Sequence, residues 1–192
     1  MTANPPNAPC PKKKFPLWIL VLLVVVGVMV VFIGILSALA IHGFTKYMKA
    51  AKTSEAKATV GMIAKSASAA FERELVANDG NAYHAMCPSA SNPVPQDIAR
   101  VRGVKYQSNL TEWDVDRAMN RGFACLGFSM ANPQYYQYDY QASGSPALDR
   151  FQAIARGDLN GDGVTSSFVL EGRLANGVLL LSPTIVESSP EE

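Results

Sequence analysis

The sequence predicts an α+β protein in which a long N-terminal helix packs on a C-terminal antiparallel β-sheet. Three observations carry this. Leu17 to Ile41 is a run of 25 residues without a charge. Small and apolar side chains then recur every three or four positions as far as Leu75. After Gly122 the pattern turns to short runs of β-formers separated by turn residues. The 192 residues are 48% apolar, enough for one globular domain and a separate apolar segment.

Charge is laid out unevenly. Residues 1–42 hold three lysines and no acid, residues 43–77 six basic and three acidic groups, and residues 78–192 eight basic and thirteen acidic. The formal net charge of +1 gives nucleic acid no electrostatic footprint. The apolar, basic front end argues against a cytosolic catalyst.

The first element is residues 17–42. A helix crosses the hydrocarbon core with about 20 residues, so this run spans it with some tilt. A cleaved secretory signal uses an apolar stretch of only about 7–15 residues. Ser37-Ala38-Leu39-Ala40 offers small residues for cleavage, but the run is longer than that. The basic groups tie, with Lys12, Lys13 and Lys14 before the run and Lys46, Lys49 and Lys52 after it. The tight lysine cluster on a Pro-rich tail, residues 1–16, places the N-terminus in the cytoplasm. A cysteine pair in the acidic remainder places that part outside, on an oxidising side.

The second element, residues 43–78, continues the helix. Ala56, Val60, Ile63, Ala67, Ala70, Phe71 and Leu75 mark one packing face, and Lys52, Glu55, Lys57, Lys65, Glu72 and Arg73 the other. Asn78-Asp79-Gly80 reads as the stop signal. At about 1.5 Å per residue the rod from Leu17 to Ala77 would be about 90 Å long, with Gly43 and Gly61 as places to bend. The packing face suits the protein's own domain, and the apolar half suits lipid or further copies of the chain. Gly34 and Ala38 form a small-xxx-small pair that permits close helix approach.

Residues 79–121 read as an irregular loop with Pro88, Pro93 and Pro95. Residues 122–185 read as the sheet, with strands near 122–130, 134–141, 150–157, 165–174 and 177–182. Connections this short favour an antiparallel meander. Residues 186–192 read as an acidic tail.

This order of elements resembles the type IV pilins and pseudopilins, which include fimbrial proteins. The stretch Tyr47-Met48-Lys49-Ala50-Ala51-Lys52-Thr53-Ser54-Glu55-Ala56-Lys57, followed by Thr59-Val60-Gly61-Met62-Ile63-Ala64, is similar to the helix of pilin-like proteins of delta-type proteobacteria. So is Ala155-Arg156-Gly157-Asp158-Leu159-Asn160-Gly161-Asp162-Gly163. The resemblance implies a non-catalytic subunit of a pilus or secretion pseudopilus, partnered by copies of itself or by related subunits through the N-terminal helix. It departs from the family at two positions. Lys14 stands where prepilins carry Gly before the cleaved bond, and Ile19 where a Glu is the fifth residue of the mature chain. The tripeptide Gly43-Phe44-Thr45 mimics the cleavage site on the wrong side of the apolar run. A monomeric, membrane-anchored binding protein is the alternative.

Three further constellations bear on chemistry. Cys87 and Cys125 can pair, or remain buried thiols, while Cys10 lies in the tail. No Cys-x-x-Cys points to redox or zinc chemistry. Asp158, Asn160 and Asp162 occupy positions one, three and five of a candidate calcium loop with Gly163 at six, but Val169 stands where a bidentate Glu is needed. The same residues build a tight hairpin loop. Apart from that candidate ion, no cofactor is indicated. His42 and His84 lack a nucleophile partner, and Glu112, Asp114 and Asp116 read as a solvated charged loop. Tyr135, Tyr136, Tyr138 and Tyr140 alternate across a strand, divided between core and surface; a ligand-binding strip is the other use of such residues.

Overall fold

The computed structural model describes residues 16–145 and 147–190. The tail residues Cys10, Lys12, Lys13, Lys14 and Phe15, residue Pro146, and the last two glutamates lie outside them. The chain divides into two compact units, Met1–Lys46 and Tyr47–Glu192. Helix α1, Leu17–Phe71, crosses that division.

In the first unit the apolar residues from Leu17 onward are exposed, apart from half-buried Ile19, and none of them is buried. Among the described residues α1 is the helix long and apolar enough to cross a membrane.

In the second unit α1 contributes the buried residues Thr53, Ala56, Thr59, Val60, Ile63, Ala64, Ala67, Ala70 and Phe71. Six are Ala or Thr. Such small side chains bring the helix backbone close to the sheet, and large rings from the sheet fill the space between them: Tyr136, Tyr138, Tyr140, Phe151 and Phe168 are each at most 1% exposed. That pairing of small with large gives the interior its density. Lys57 and Glu55, read as solvent-facing, instead flank the contact. Lys57 Nζ lies 2.8 Å from Glu187 Oε1, and Glu55 Oε1 accepts the Tyr135 N–H at 2.7 Å.

The helix ends at Phe71, not at Ala77. Its last carbonyls are satisfied from outside the helix. The Arg73 Nε–H donates to Ala70 O at 3.4 Å, and His84 Nδ1 lies 3.0 Å from Phe71 O. Leu75 is exposed, because β1 (Leu75–Val76) turns back on β2 (Ala82–Tyr83). Asn78-Asp79-Gly80 is that hairpin's turn, with Gly80 at φ +83° and the Asn81 N–H donating to Asp79 Oδ1.

Residues 79–121 are less irregular than expected. They hold β2, a 3-10 turn at Ile98–Val101, the short helix α2 (Leu110–Trp113) and a second 3-10 turn at Arg117–Met119. The stretch 122–130 is not a strand. Helix α3, Gly122–Leu126, occupies it and closes on Gly127 in the left-handed conformation. Gly122 at φ +54° explains the switch. A Cβ there would meet Ala90 Cα at 2.6 Å, so only glycine allows the chain to enter the helix against that backbone.

The main sheet runs β3 (Gln137–Ser143), β4 (Arg150–Gly157), β5 (Ser166–Ala175) and β6 (Val178–Leu181), an antiparallel meander. Strand β7, Val186–Ser188, also pairs with β5, so the expected acidic tail begins as a strand. The free side of β3 is covered: Val94 and Tyr138 exchange both backbone hydrogen bonds at 2.8 Å. That cover answers the edge-strand problem on one side of the sheet. On the inner face two rings lie over glycines of the neighbouring strand. Tyr136 covers Gly157, and Phe151 covers its direct partner Gly172.

Candidate functional site

The disulfide is present. Cys87 and Cys125 are joined with their Cα atoms 5.8 Å apart, and both are buried. The bridge anchors the segment leading to the sheet edge onto α3, whose cap Gly127 and buried Phe123 and Leu126 fix Cys125. The Arg73 guanidinium, just past the end of α1, donates to Cys125 O. One buried corner therefore holds the end of the long helix, the bridge and α3.

The packing residues of the sequence reading fall in two places. Ala56, Val60, Ile63, Ala67 and Phe71 lie in the core of the second unit, against their own sheet. Gly34 and Ala38 lie in the first unit, both exposed, and a Cβ on Gly34 would meet nothing within 4 Å.

Asp158, Asn160 and Asp162 sit in the β4–β5 connection. Asp158 is only 2% exposed, and its carboxylate is already engaged. It accepts the N–H groups of Gly161 at 2.6 Å and Gly163 at 2.9 Å, and Arg102 Nε lies 3.3 Å away. Asn160 and Asp162 make local turns, Asn160 Oδ1 accepting from Asp162 N and Asp162 Oδ1 from Val164 N. These contacts support the hairpin-loop reading. Among the described residues no group of three His, Cys, Asp or Glu side chains converges as a metal site. Gly103 N–H also donates to Asp158 O at 2.7 Å, so the loop is tied to the 3-10 segment beside it, a contact with no local sequence signal.

The carboxylates 112–116 are not a solvated loop. Glu112 closes a capping box with Asn109 at the start of α2 and accepts from the Tyr106 hydroxyl at 2.9 Å. Asp116 is 3% exposed and accepts the Ser91 N–H at 2.7 Å. Between them Trp113 is buried edge-on against Phe123, with ring centroids 4.9 Å apart. The spacing of Asn109 to Glu112 is the capping signature and could have been read.

Nor are the tyrosines a ligand-binding strip. Tyr136, Tyr138 and Tyr140 all point inward, and burial pushes each phenol pKa upward. Tyr140 donates to Cys87 O at 3.1 Å. The Tyr136 hydroxyl is pulled partly back by Thr53 and Ser166 but makes no well-aligned hydrogen bond. Tyr135 alone stays half-buried, with Lys52 Nζ 4.5 Å and Lys105 Nζ 4.8 Å from its ring centroid.

Two clefts among the described residues are bordered by no paired nucleophile and base. One of about 340 Å³ lies over the Trp113–Phe128 aromatics. Another of about 600 Å³ is bordered by Asn92, Asp97, Arg100 and Glu112, whose side chains are spent on caps and on the neighbouring Gln96 and Tyr106. His84 caps α1, and His42 sits in the first unit. The arrangement can brace and display a surface.

No protein-family model, no curated protein and no solved structure matches this chain.

Proposed function

We propose that the protein is a structural, non-catalytic subunit of a type IV pilus or pseudopilus-like assembly, held in a bacterial inner membrane by the N-terminal half of α1. One observation supports this most. A single helix is apolar and unburied over its first half, then becomes the spine of a small α+β unit over its second. A binding protein needs only a short anchor, whereas an assembly built from packed helices needs the spine to run on from the anchor. The N-terminus on this reading is cytoplasmic and the acidic unit periplasmic, where the Cys87–Cys125 bridge can form and persist.

A second reading has its own support. Lys14 and Ile19 replace the glycine and glutamate that prepilins use for cleavage and assembly. These favour a monomeric membrane-anchored protein whose periplasmic unit binds a partner.

Mass spectrometry of the mature N-terminus, combined with shearing of cells, separates the two. Cleavage before Phe15 with recovery in sheared filaments supports the subunit. An intact Met1 tail confined to the membrane fraction supports the anchor.

A further inference from the structure

We infer that the second unit docks on anionic lipid headgroups through a basic-aromatic cluster, Lys52, Lys105 and Tyr135. The inference rests on the membrane reading of α1 given above.

The cluster is assembled from three separate parts of the chain: α1, the loop after the 3-10 turn, and the residue leading into β3. Two ammonium groups converge on one ring, at 4.5 and 4.8 Å from its centroid. Neither is in an ion pair among the described residues. The nearest acid in sequence, Glu55, accepts the Tyr135 N–H at 2.7 Å and pairs with neither lysine, so the cluster stays net positive with its charge included. Two like charges on one half-buried ring repel each other, and an anion between or beside them relieves that repulsion. Exposed Val104 lies next to Lys105, and exposed Tyr47 and Met48 precede Lys52 on the helix. Lysine, tyrosine and isolated aliphatic groups together are the set that settles at a membrane interface.

Charge elsewhere on the unit makes the contact directional. Residues 47–192 carry 13 basic and 16 acidic groups, and residues 78–192 alone have eight against thirteen. With a net charge of −3 the unit as a whole gains nothing at an anionic surface, so the attraction rests on the cluster itself. Only ten residues, 42–51, separate the apolar run from Lys52 in the sequence. Each lysine at an anionic leaflet gains attraction that decays within a Debye length.

The test is lysine acetylation of the full-length chain in nanodiscs of phosphatidylcholine alone or with phosphatidylglycerol. Labelling at Lys52 and Lys105 should slow roughly fivefold in the anionic discs and recover at high salt, while exposed Lys65 is unchanged. The variant Lys105→Gln, at an exposed position, should lose most of the protection at Lys52. Equal labelling in the two discs overturns the docking proposal and leaves the membrane reading standing. A chain that enters neither disc overturns both. Protection that depends on protein density and not on lipid charge assigns the cluster to a second copy and refutes the headgroup.

Discussion

Adding one methyl group should have opposite effects at two glycines. Gly172 lies in the middle of β5 with ordinary backbone angles, directly opposite Phe151. A Cβ at Gly172 would fall 2.6 Å from Phe151 Cζ and closer still to Cε1, well inside contact distance. The ring cannot swing away freely, because Phe151 is 1% exposed and stacked 5.6 Å from Tyr140. Overpacking of this kind costs about 1–3 kcal/mol. Loss of glycine's freedom in the unfolded chain offsets about 0.4–1 kcal/mol of it. Gly172→Ala should therefore destabilise by about 1–2 kcal/mol, a melting temperature lower by about 2–8 °C for a chain of this size. Gly61, within α1, has nothing within 4 Å of its Cβ position. There the same substitution should stabilise by about 0.5–1 kcal/mol through helix propensity.

The assay is thermal unfolding in detergent followed by Trp113, which is buried, in a Trp18→Phe background that leaves it the only indole. Phe151→Leu should cost less in the Gly172→Ala protein than in the parent, with a coupling of at least about 0.5 kcal/mol. A Gly172→Ala protein as stable as the parent, or single effects that simply add, would show that the ring does not hold the glycine and would refute the argument.

Three further outcomes are expected. The 38-residue separation closed by Cys87 and Cys125 corresponds to about 4 kcal/mol in the chain-entropy account, so reductant should shift gel mobility and lower the melting temperature together. Burial keeps the phenols of Tyr136, Tyr138 and Tyr140 neutral above the ordinary value near 10, so stability is complete below that pH. It should fall as pH rises further, by up to about 1.4 kcal/mol per pH unit for each phenol, with tyrosinate absorbance rising as circular dichroism is lost; titration of all seven tyrosines while the fold persists contradicts this. Asp158→Ala should cost about 2–3 kcal/mol by stranding two amides and Arg102, with the parent melting at the same temperature with and without calcium; a calcium-induced rise that vanishes in Asp162→Ala reinstates the ion.

The parts of the fold legible in the sequence are those where one local signal governs. Leu17–Ile41 holds no charged residue, and one uninterrupted helix forms over it. Ala56, Val60, Ile63 and Ala67 repeat with the period of a helix because one face meets a sheet. Strand β4 falls at Arg150–Gly157, as the run of β-formers indicates. Errors cluster where tertiary contacts override propensity. The stretch 122–126 is rich in β-forming side chains, yet Gly122 against Ala90, the bridge at Cys125 and the cap at Gly127 together select a helix. Leu75 fits the helical period, but Arg73 and His84 satisfy the helix end first and release it into a hairpin. The Lys52–Tyr135–Lys105 cluster could not be read at all, because its members are brought together only by the packing of α1 on the sheet.

Magnitudes decide how the exposed half of α1 must be accommodated. From Leu17 to Ile41, 19 large apolar side chains are exposed in the isolated chain. At about 1.5–3 kcal/mol each, taking them out of water is worth on the order of 30–60 kcal/mol, several times the net stability of about 5–15 kcal/mol typical of a folded domain. The core of the small α+β unit is already filled by α1's second half and the tyrosine rings. On the reading proposed above, the cover comes from lipid or from packed copies of the chain. Lipid provides it without regard to sequence, so an anchor tolerates any apolar substitution at Gly34 or Ala38. Packed copies provide it only where backbones approach closely, so Gly34→Leu would disrupt an assembly while leaving membrane insertion intact. Filament yield after shearing, set against the membrane-bound amount of the same variant, therefore separates the two sources of cover; unchanged yield from Gly34→Leu cells excludes this pair from the packing seam.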